Sequence, residues 1–130
     1  MNNSVIFGLA IAIVLAFASC KKIKGEGPVL TETRTITGFT GVSADIDGDV
    51  YITPDSVFKV EVRAQQNILD VIQSQVVNGE LRLRFKNDVT VSTHDRVSVY
   101  ISAPALSSFS VGGSGKLIVQ RPVNASLVQL

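Results

Sequence analysis

The stretch VGGSGKLIV, residues 111–119, combines closely spaced glycines with a lysine, as loops that hold phosphate groups do. A phosphate loop of the type G-x-x-x-x-G-K-[ST] needs glycine at position 110 and serine or threonine at 117, where this chain has Ser110 and Leu117. It also needs a helix after the lysine, whereas KLIVQ is typical of a strand. The sequence therefore predicts no nucleotide site, and the glycines are interpreted as structural turn residues: Gly112, Gly113 and Gly115.

A second candidate for chemistry is DIDGD, which places Asp45, Asp47 and Asp49 at alternate positions. Carboxylates spaced in this way could share a calcium ion. The spacing does not follow an EF-hand loop, because Gly48 is the fourth residue of the run where that loop has its glycine sixth. The alternative is a turn whose aspartates hydrogen-bond their own backbone, with Gly48 as a structural turn residue. We expect no bound metal, and the three aspartates are the weak calcium candidate.

Three basic residues alternate along one predicted strand, and they form a weak candidate ligand-binding row: Arg82, Arg84 and Lys86. Such a row could bind an anionic polysaccharide. Cross-strand pairing and protection of a sheet edge would explain the same charges.

No residues suggest a catalytic site. His94 is the sole histidine, and its neighbour Asp95 would point to the opposite face of a strand, so the two cannot converge as a triad requires. No pair of carboxylates stands out as the acid and base of a glycosidase. We therefore predict a protein that is not an enzyme and has no cofactor.

Composition and charge limit the partners. The 130 residues allow one domain with a modest core, and 12 lysines and arginines balance 11 acids, so no strong field would attract nucleic acid. The single cysteine, Cys20, excludes a disulfide within the chain and a cysteine-ligated metal site in the folded part.

The pattern of the N-terminal residues is typical of a secretion signal. Residues 5–18 are apolar or glycine, and as a helix of about 21 Å they fall short of the roughly 30 Å hydrocarbon core. The run ends in FASC, which resembles the lipobox of bacterial lipoproteins and implies cleavage before Cys20 and its lipidation. Plain secretion with cleavage after AFA is the alternative. We predict a signal-peptide helix over residues 1–19 and a lipidated cysteine with a polar tether over residues 20–28.

From residue 29 onward the dominant period is two, which predicts strands around residues 42–46, 58–62, 81–85 and 97–101. Asn78-Gly79 predicts a hairpin between two of them. Only residues 66–73 suggest a short helix. VSADIDGDVYI (42–52) aligns with FSVGGSGKLIV (109–119), which suggests a repeating strand, turn and strand, with Leu117 and Val119 facing the core.

The signal together with GFTGVSADIDGDVYIT, NILDVI, NGELRLRF and SSFSVGGSGKLIV resembles the putative auto-transporter adhesin, head GIN domain family, over residues 38–130. Many of its members are bacterial envelope lipoproteins. The resemblance implies an all-β domain over residues 29–130, built as a β-solenoid or right-handed β-helix-like stack with a hairpin-rich N-terminal part. Because family members continue for further glycine-rich turns, it also implies that the domain is incomplete at its C-terminus.

The expected function is therefore non-catalytic. We predict a lipid-anchored cell-envelope protein, at the outer membrane on either its periplasmic or its surface face, whose β domain binds an unknown glycan or protein ligand. Partners would be the membrane, through the anchor, and that ligand. The alternatives are a regulatory or structural envelope protein that docks to another membrane component and, ranked last, an enzyme acting on polysaccharide.

Overall fold

The computed structural model describes residues 21–92 and 94–120, and this part of the chain is all-β, as predicted. Its one short helix, α1, is Gln66–Leu69; of the rest of the predicted helical segment, residues 70–71 form a turn and residues 72–73 begin a strand. The strands are β1 (Lys21–Ile23), β2 (Val29–Arg34), β3 (Gly41–Asp45), β4 (Gly48–Pro54), β5 (Lys59–Gln65), β6 (Ile72–Val77), β7 (Glu80–Phe85), β8 (Val89–Val91), β9 (Val97–Ala103), β10 (Ser108–Val111) and β11 (Lys116–Val119).

The strands form three sheets. The largest has the order β11-β4-β9-β5-β2, the second has the order β10-β3-β7-β6, and β1 pairs with β8 in a separate ribbon. β4 pairs in parallel with β9 and β3 with β7, whereas β6 and β7, β5 and β9, and β2 and β5 pair antiparallel. Within residues 21–92 and 94–120 there is no helix long and apolar enough to cross a membrane.

Alternation along the strands builds one core from both large sheets. Val50 and Ile52 on β4 and Val99 on β9 are almost fully buried, as are Leu81 and Leu83 on β7. Burying each such side chain contributes about 1.5–3 kcal/mol relative to leaving it exposed. Ile68 and Leu69 of α1 join the same core, so the short helix covers apolar side chains between the sheets.

The aligned segments 42–52 and 109–119 pair with each other. β10 lies parallel to β3 with Phe109 opposite Val42, and β11 lies parallel to β4 with Val119 opposite Ile52. Partners are 67 positions apart in both pairs, which is the offset of the sequence alignment. Leu117 and Val119 stand opposite the buried Val50 and Ile52, on the face of the sheet that is turned to the core. They are nevertheless 37% and 56% exposed, because β11 is the outermost strand of its sheet.

The Asn78-Gly79 hairpin is confirmed. It joins β6 to β7, with Val77 opposite Glu80 across the two-residue turn. Asn78 and Gly79 have φ angles of 51° and 77°, as a type I′ turn requires.

An arginine joins β2 to the end of α1. The Arg34 side chain is only 12% exposed, and its Nη2 donates to the Leu69 carbonyl at 2.9 Å. Its Nη1 donates to the Ile72 carbonyl at 2.7 Å and to Ser74 Oγ at 3.1 Å. The guanidinium thus satisfies backbone acceptors exposed where the helix ends and β6 begins.

The predicted tether over residues 20–28 is wrong for the part that the structure describes. Lys21–Ile23 forms β1 on the domain, and the chain after it is held by side chains of the domain. Asn67 accepts from the Glu26 amide at 3.0 Å and donates to the Lys24 carbonyl at 2.6 Å. Hydrogen bonds to its main-chain groups thus attach this segment to the domain, although its polar composition suggested a free linker.

Candidate functional site

The glycine-rich turn packs against the aspartate-rich turn and leads into β11, not into a helix. Asp47 Oδ1 accepts from the Ser114 amide at 3.1 Å and from the Ser114 hydroxyl at 3.3 Å. Gly113 has a φ of 64°, and a Cβ added there would collide with the same Asp47 oxygen. A Cβ at Gly112 would lie 2.8 Å from Asp45 Oδ1. The glycines therefore make room for carboxylates of the neighbouring turn.

Asp49 is engaged by an arginine that the sequence did not single out. Arg96 Nε donates to Asp49 Oδ2 at 2.8 Å and Arg96 Nη2 donates to Oδ1 at 2.7 Å, a two-point contact. The hydrogen bond from Arg96 lowers the pKa of the Asp49 carboxyl, and the same bond raises the pKa of Arg96. Arg96 Nη2 also donates to the Ser114 carbonyl at 3.2 Å, so it joins the two turns.

Asp47 and Asp49 therefore have different partners, Ser114 and Arg96. Across residues 21–92 and 94–120, no three histidine, cysteine or acidic side chains are arranged to hold a metal ion. The hypothesis of calcium shared by Asp45, Asp47 and Asp49 gains no support from this arrangement. Gly48, the other turn residue predicted there, begins β4 and lies against Gly115, whose added Cβ would be 2.8 Å from the Gly48 carbonyl oxygen.

The basic row lies on the outward face of the four-stranded sheet. Arg82 and Arg84 are exposed on β7, and Lys86 follows just beyond its end. Arg82 Nε donates to Glu80 Oε1 at 3.0 Å, and Arg84 stands opposite Asp45 of β3 in the register. Acidic neighbours thus offset part of the row's charge, and its role in ligand binding stays a prediction.

His94 borders an open depression of about 290 Å³ together with Asp47, Ser92, Arg96 and Ser114. The His94 Nδ1 lies 2.7 Å from the Asp95 carbonyl oxygen. The Ser92 hydroxyl donates to the Ile23 carbonyl, and the Ser114 hydroxyl donates to Asp47. Both hydroxyls are therefore oriented by partners other than the imidazole, which is not the geometry of a histidine-activated nucleophile.

Two tyrosines form a platform on the outward face of the five-stranded sheet. Tyr51 on β4 and Tyr100 on β9 stand directly opposite each other, and their rings are stacked with centroids 4.8 Å apart and planes 9° apart. Both side chains are half-buried. Glu61 on β5 is the next residue across the sheet from Tyr100. We call Tyr51 and Tyr100 the tyrosine platform.

A depression of about 210 Å³ adjoins the platform. Its lining is Thr53, Asp55, Lys59, Glu61, Tyr100, Ile101 and Ser102. Lys59 Nζ lies 3.2 Å from Glu61 Oε1, and Ser102 Oγ donates to the Val57 carbonyl at 2.9 Å. An apolar ring beside a few polar groups that can donate and accept hydrogen bonds suits a ligand with one apolar face and several hydroxyls.

These tyrosines were not predicted as site residues, although the sequence carries a signal for them. The tripeptide VYI occurs at residues 50–52 and again at residues 99–101. In both copies the tyrosine is the outward residue between two buried aliphatics. Pairing the two copies would have placed the rings side by side.

Cys20, the predicted lipidation site, lies outside the described residues. So do residues 1–19, which carry the predicted signal peptide, and residues 121–130.

Solved structures that resemble this fold include bacterial proteins described as putative adhesins. One from Bacteroides fragilis NCTC 9343 matches with a TM-score of 0.69 and 21% identity, over 75% of this chain and 46% of its own. One from Parabacteroides merdae ATCC 43184 matches with a TM-score of 0.72 and 20% identity, over 78% and 42%. A putative lipid binding protein from Parabacteroides distasonis ATCC 8503 matches with a TM-score of 0.68 and 19% identity, over 76% and 44%. The chain thus spans less than half the length of each.

The chain belongs to the family described as putative auto-transporter adhesin, head GIN domain, whose model matches residues 38–130. This confirms the family resemblance inferred from the sequence. No curated protein matches the chain. The structural likeness, at these identities, shows the fold alone.

Proposed function

We propose that this protein is a lipid-anchored, non-catalytic envelope protein whose β domain binds a neutral surface glycan on the tyrosine platform. The observation that carries the proposal is the stacked pair Tyr51 and Tyr100 beside a polar depression. A pyranose ring has an apolar C–H face that can lie on an aromatic ring, while its hydroxyls hydrogen-bond to neighbouring polar groups.

The charges at the platform favour a neutral ligand over an anionic one. Among the residues that the structure describes, Lys59 is the only cation that lines the depression, and it is already paired with Glu61. Asp55 adds a second negative charge to the lining. A sulfated or uronic polysaccharide would therefore meet net negative charge there, whereas a neutral sugar can use the carboxylates as acceptors and the ammonium as a donor.

The anchor is proposed at Cys20, on the signal layout of the sequence and on the family. The structural neighbours include proteins described as putative adhesins and one described as a putative lipid binding protein, which is consistent with an envelope location. We propose attachment at the outer membrane.

We also propose that the parallel pairs are turns of a β-solenoid. Support comes from the order β10-β3-β7 in one sheet and β11-β4-β9 in the other, in which strands from three parts of the chain stack in parallel. The outermost pair leaves Phe109, Leu117 and Val119 exposed, at positions where a further parallel strand would cover them.

The test is binding of the mature protein, purified in detergent, to a panel of neutral and anionic polysaccharides by affinity electrophoresis. We expect retention by a neutral polysaccharide that Tyr51→Ala and Tyr100→Ala each weaken at least tenfold, because truncating a central aromatic anchor commonly costs about 2 kcal/mol or more of binding free energy.

Tyr100→Phe, which keeps the ring, is expected to stay within about threefold of the wild type. Arg82→Ala, on the other sheet, is the matched surface control and should bind as the wild type does. The proposal would be contradicted if no neutral polysaccharide retained the protein, or if the tyrosine variants were retained as strongly as the wild type.

A further inference from the structure

The chain that follows Cys20 is bound to the domain from its first residue. The Lys21 amide donates to the Asp88 carbonyl at 2.9 Å, and Lys21 stands opposite Val89 as β1 pairs in parallel with β8. At the other end of β1, the Ile23 carbonyl accepts from the Ser92 amide at 2.8 Å and from the Ser92 hydroxyl at 3.1 Å. The ribbon of β1 and β8 is thus bonded at both ends.

Further contacts hold the next residues. Asn67 bonds main-chain groups of Lys24 and Glu26, and the side-chain amide of Gln65 donates to the Gly27 carbonyl at 3.0 Å. Gln65 is only 6% exposed, and its Oε1 also accepts from the Asp95 amide at 3.0 Å. The segment from Lys21 to Gly27 is therefore part of the folded domain.

We infer that the acyl anchor, which the proposed function attaches at Cys20, holds the domain directly against the bilayer by the end of the β1–β8 ribbon where Lys21 and Asp88 meet. A free linker over residues 20–28 would extend to about 30 Å, whereas one residue of extended chain spans about 3.5 Å. Because Lys21 is already bonded to Asp88, the linker between the acylated residue and the domain is a single peptide bond.

The surface that meets the bilayer consists of the first residues of β1 and the turn that leads into β8. The charged side chains exposed at this end are Lys21, Lys22, Lys86, Asp70 and Asp88. Lys86 belongs to it because its amide donates to the Val71 carbonyl and its carbonyl accepts from the Val89 amide. The lysines at this end only slightly outnumber the aspartates, so the short linker, and not charge, sets the orientation of the domain on the bilayer. A zwitterionic bilayer is therefore sufficient.

The experiment uses the full-length protein, isolated from membranes and reconstituted into phosphatidylcholine vesicles that carry a headgroup quencher. Because Cys20 is the only cysteine, its acylation leaves a cysteine introduced by Asn87→Cys or Ser56→Cys as the sole thiol for a fluorophore. Asn87 lies in the turn before β8, and Ser56 lies between β4 and β5. We expect quenching at position 87 to be at least twofold stronger than at position 56.

A Gly/Ser linker of about ten residues inserted between Cys20 and Lys21 should abolish that difference, since it restores a free tether. Equal quenching at the two positions of an acylated protein, or a difference that the linker leaves unchanged, would overturn the inference and leave the anchor intact. A wild-type mass without acyl chains would overturn the anchor itself and, with it, this orientation.

Discussion

Replacing Arg34 by alanine should strongly destabilise the domain. The substitution removes two charge-assisted hydrogen bonds to main-chain carbonyls, those of Leu69 and Ile72, and one to Ser74. A hydrogen bond from a charged group contributes about 1.5–3 kcal/mol, so the two carbonyl bonds alone give a loss of about 3 kcal/mol at the low end. For a domain of this size that loss lowers Tm by roughly 10–20 °C.

The assay is urea unfolding followed by far-ultraviolet circular dichroism, with the free energy of unfolding obtained by linear extrapolation. Arg82→Ala is the matched control, because Arg82 is exposed and bonds one carboxylate of its own strand. It should change the free energy of unfolding by less than about 1 kcal/mol. A loss below about 1 kcal/mol for Arg34→Ala, or equal losses for the two variants, would refute the assignment of Arg34 as the residue that completes the end of α1.

Three further changes test the turns and the docked N-terminal segment. Gly113→Ala should lower the free energy of unfolding in urea more than Gly27→Ala does, since both positions have positive φ but only a Cβ at position 113 would collide with an aspartate. Equal losses for the two variants would contradict that contact. The pKa of Asp49 is lowered, so its stabilisation is present above the unfolded pKa of about 3.9 and is lost as pH falls through the folded pKa. The stability gap between wild type and Asp49→Asn should therefore shrink between pH 6 and pH 2, and a constant gap would contradict the pairing. Asn67→Ala should speed amide hydrogen exchange in residues 21–27, whereas Gln66→Ala, on the same helix, should not; unchanged exchange in both would argue against docking.

Local patterns predicted the elements well, because alternation and turn chemistry act over a few residues. Asn78-Gly79 predicted its hairpin from the need for two positive φ angles, and the structure has both. The alignment of residues 42–52 with 109–119 indicated a repeated strand, turn and strand, and the structure pairs the two copies in parallel at the offset of that alignment.

The repeated VYI marks the two tyrosines of the platform, but their stacking depends on β4 pairing with β9. Because β5, α1, β6, β7 and β8 lie between those two strands along the chain, local patterns do not encode that pairing. Docking of residues 21–27 was equally hidden, because Asn67 and Gln65 bind main-chain atoms of that segment and leave no side-chain pattern in it. The role of Arg96 was not predicted, because its partner Asp49 lies on a strand that is far away in the sequence.

The proposal that a neutral glycan binds on the tyrosine platform is tested most directly by mapping amide and aromatic chemical shifts of the isotopically labelled protein during titration with a retained neutral oligosaccharide. The proposed site predicts shifts concentrated at Tyr51, Tyr100 and Glu61, on the outward face of the five-stranded sheet. Shifts concentrated at Arg82 and Arg84, on the four-stranded sheet, would contradict it.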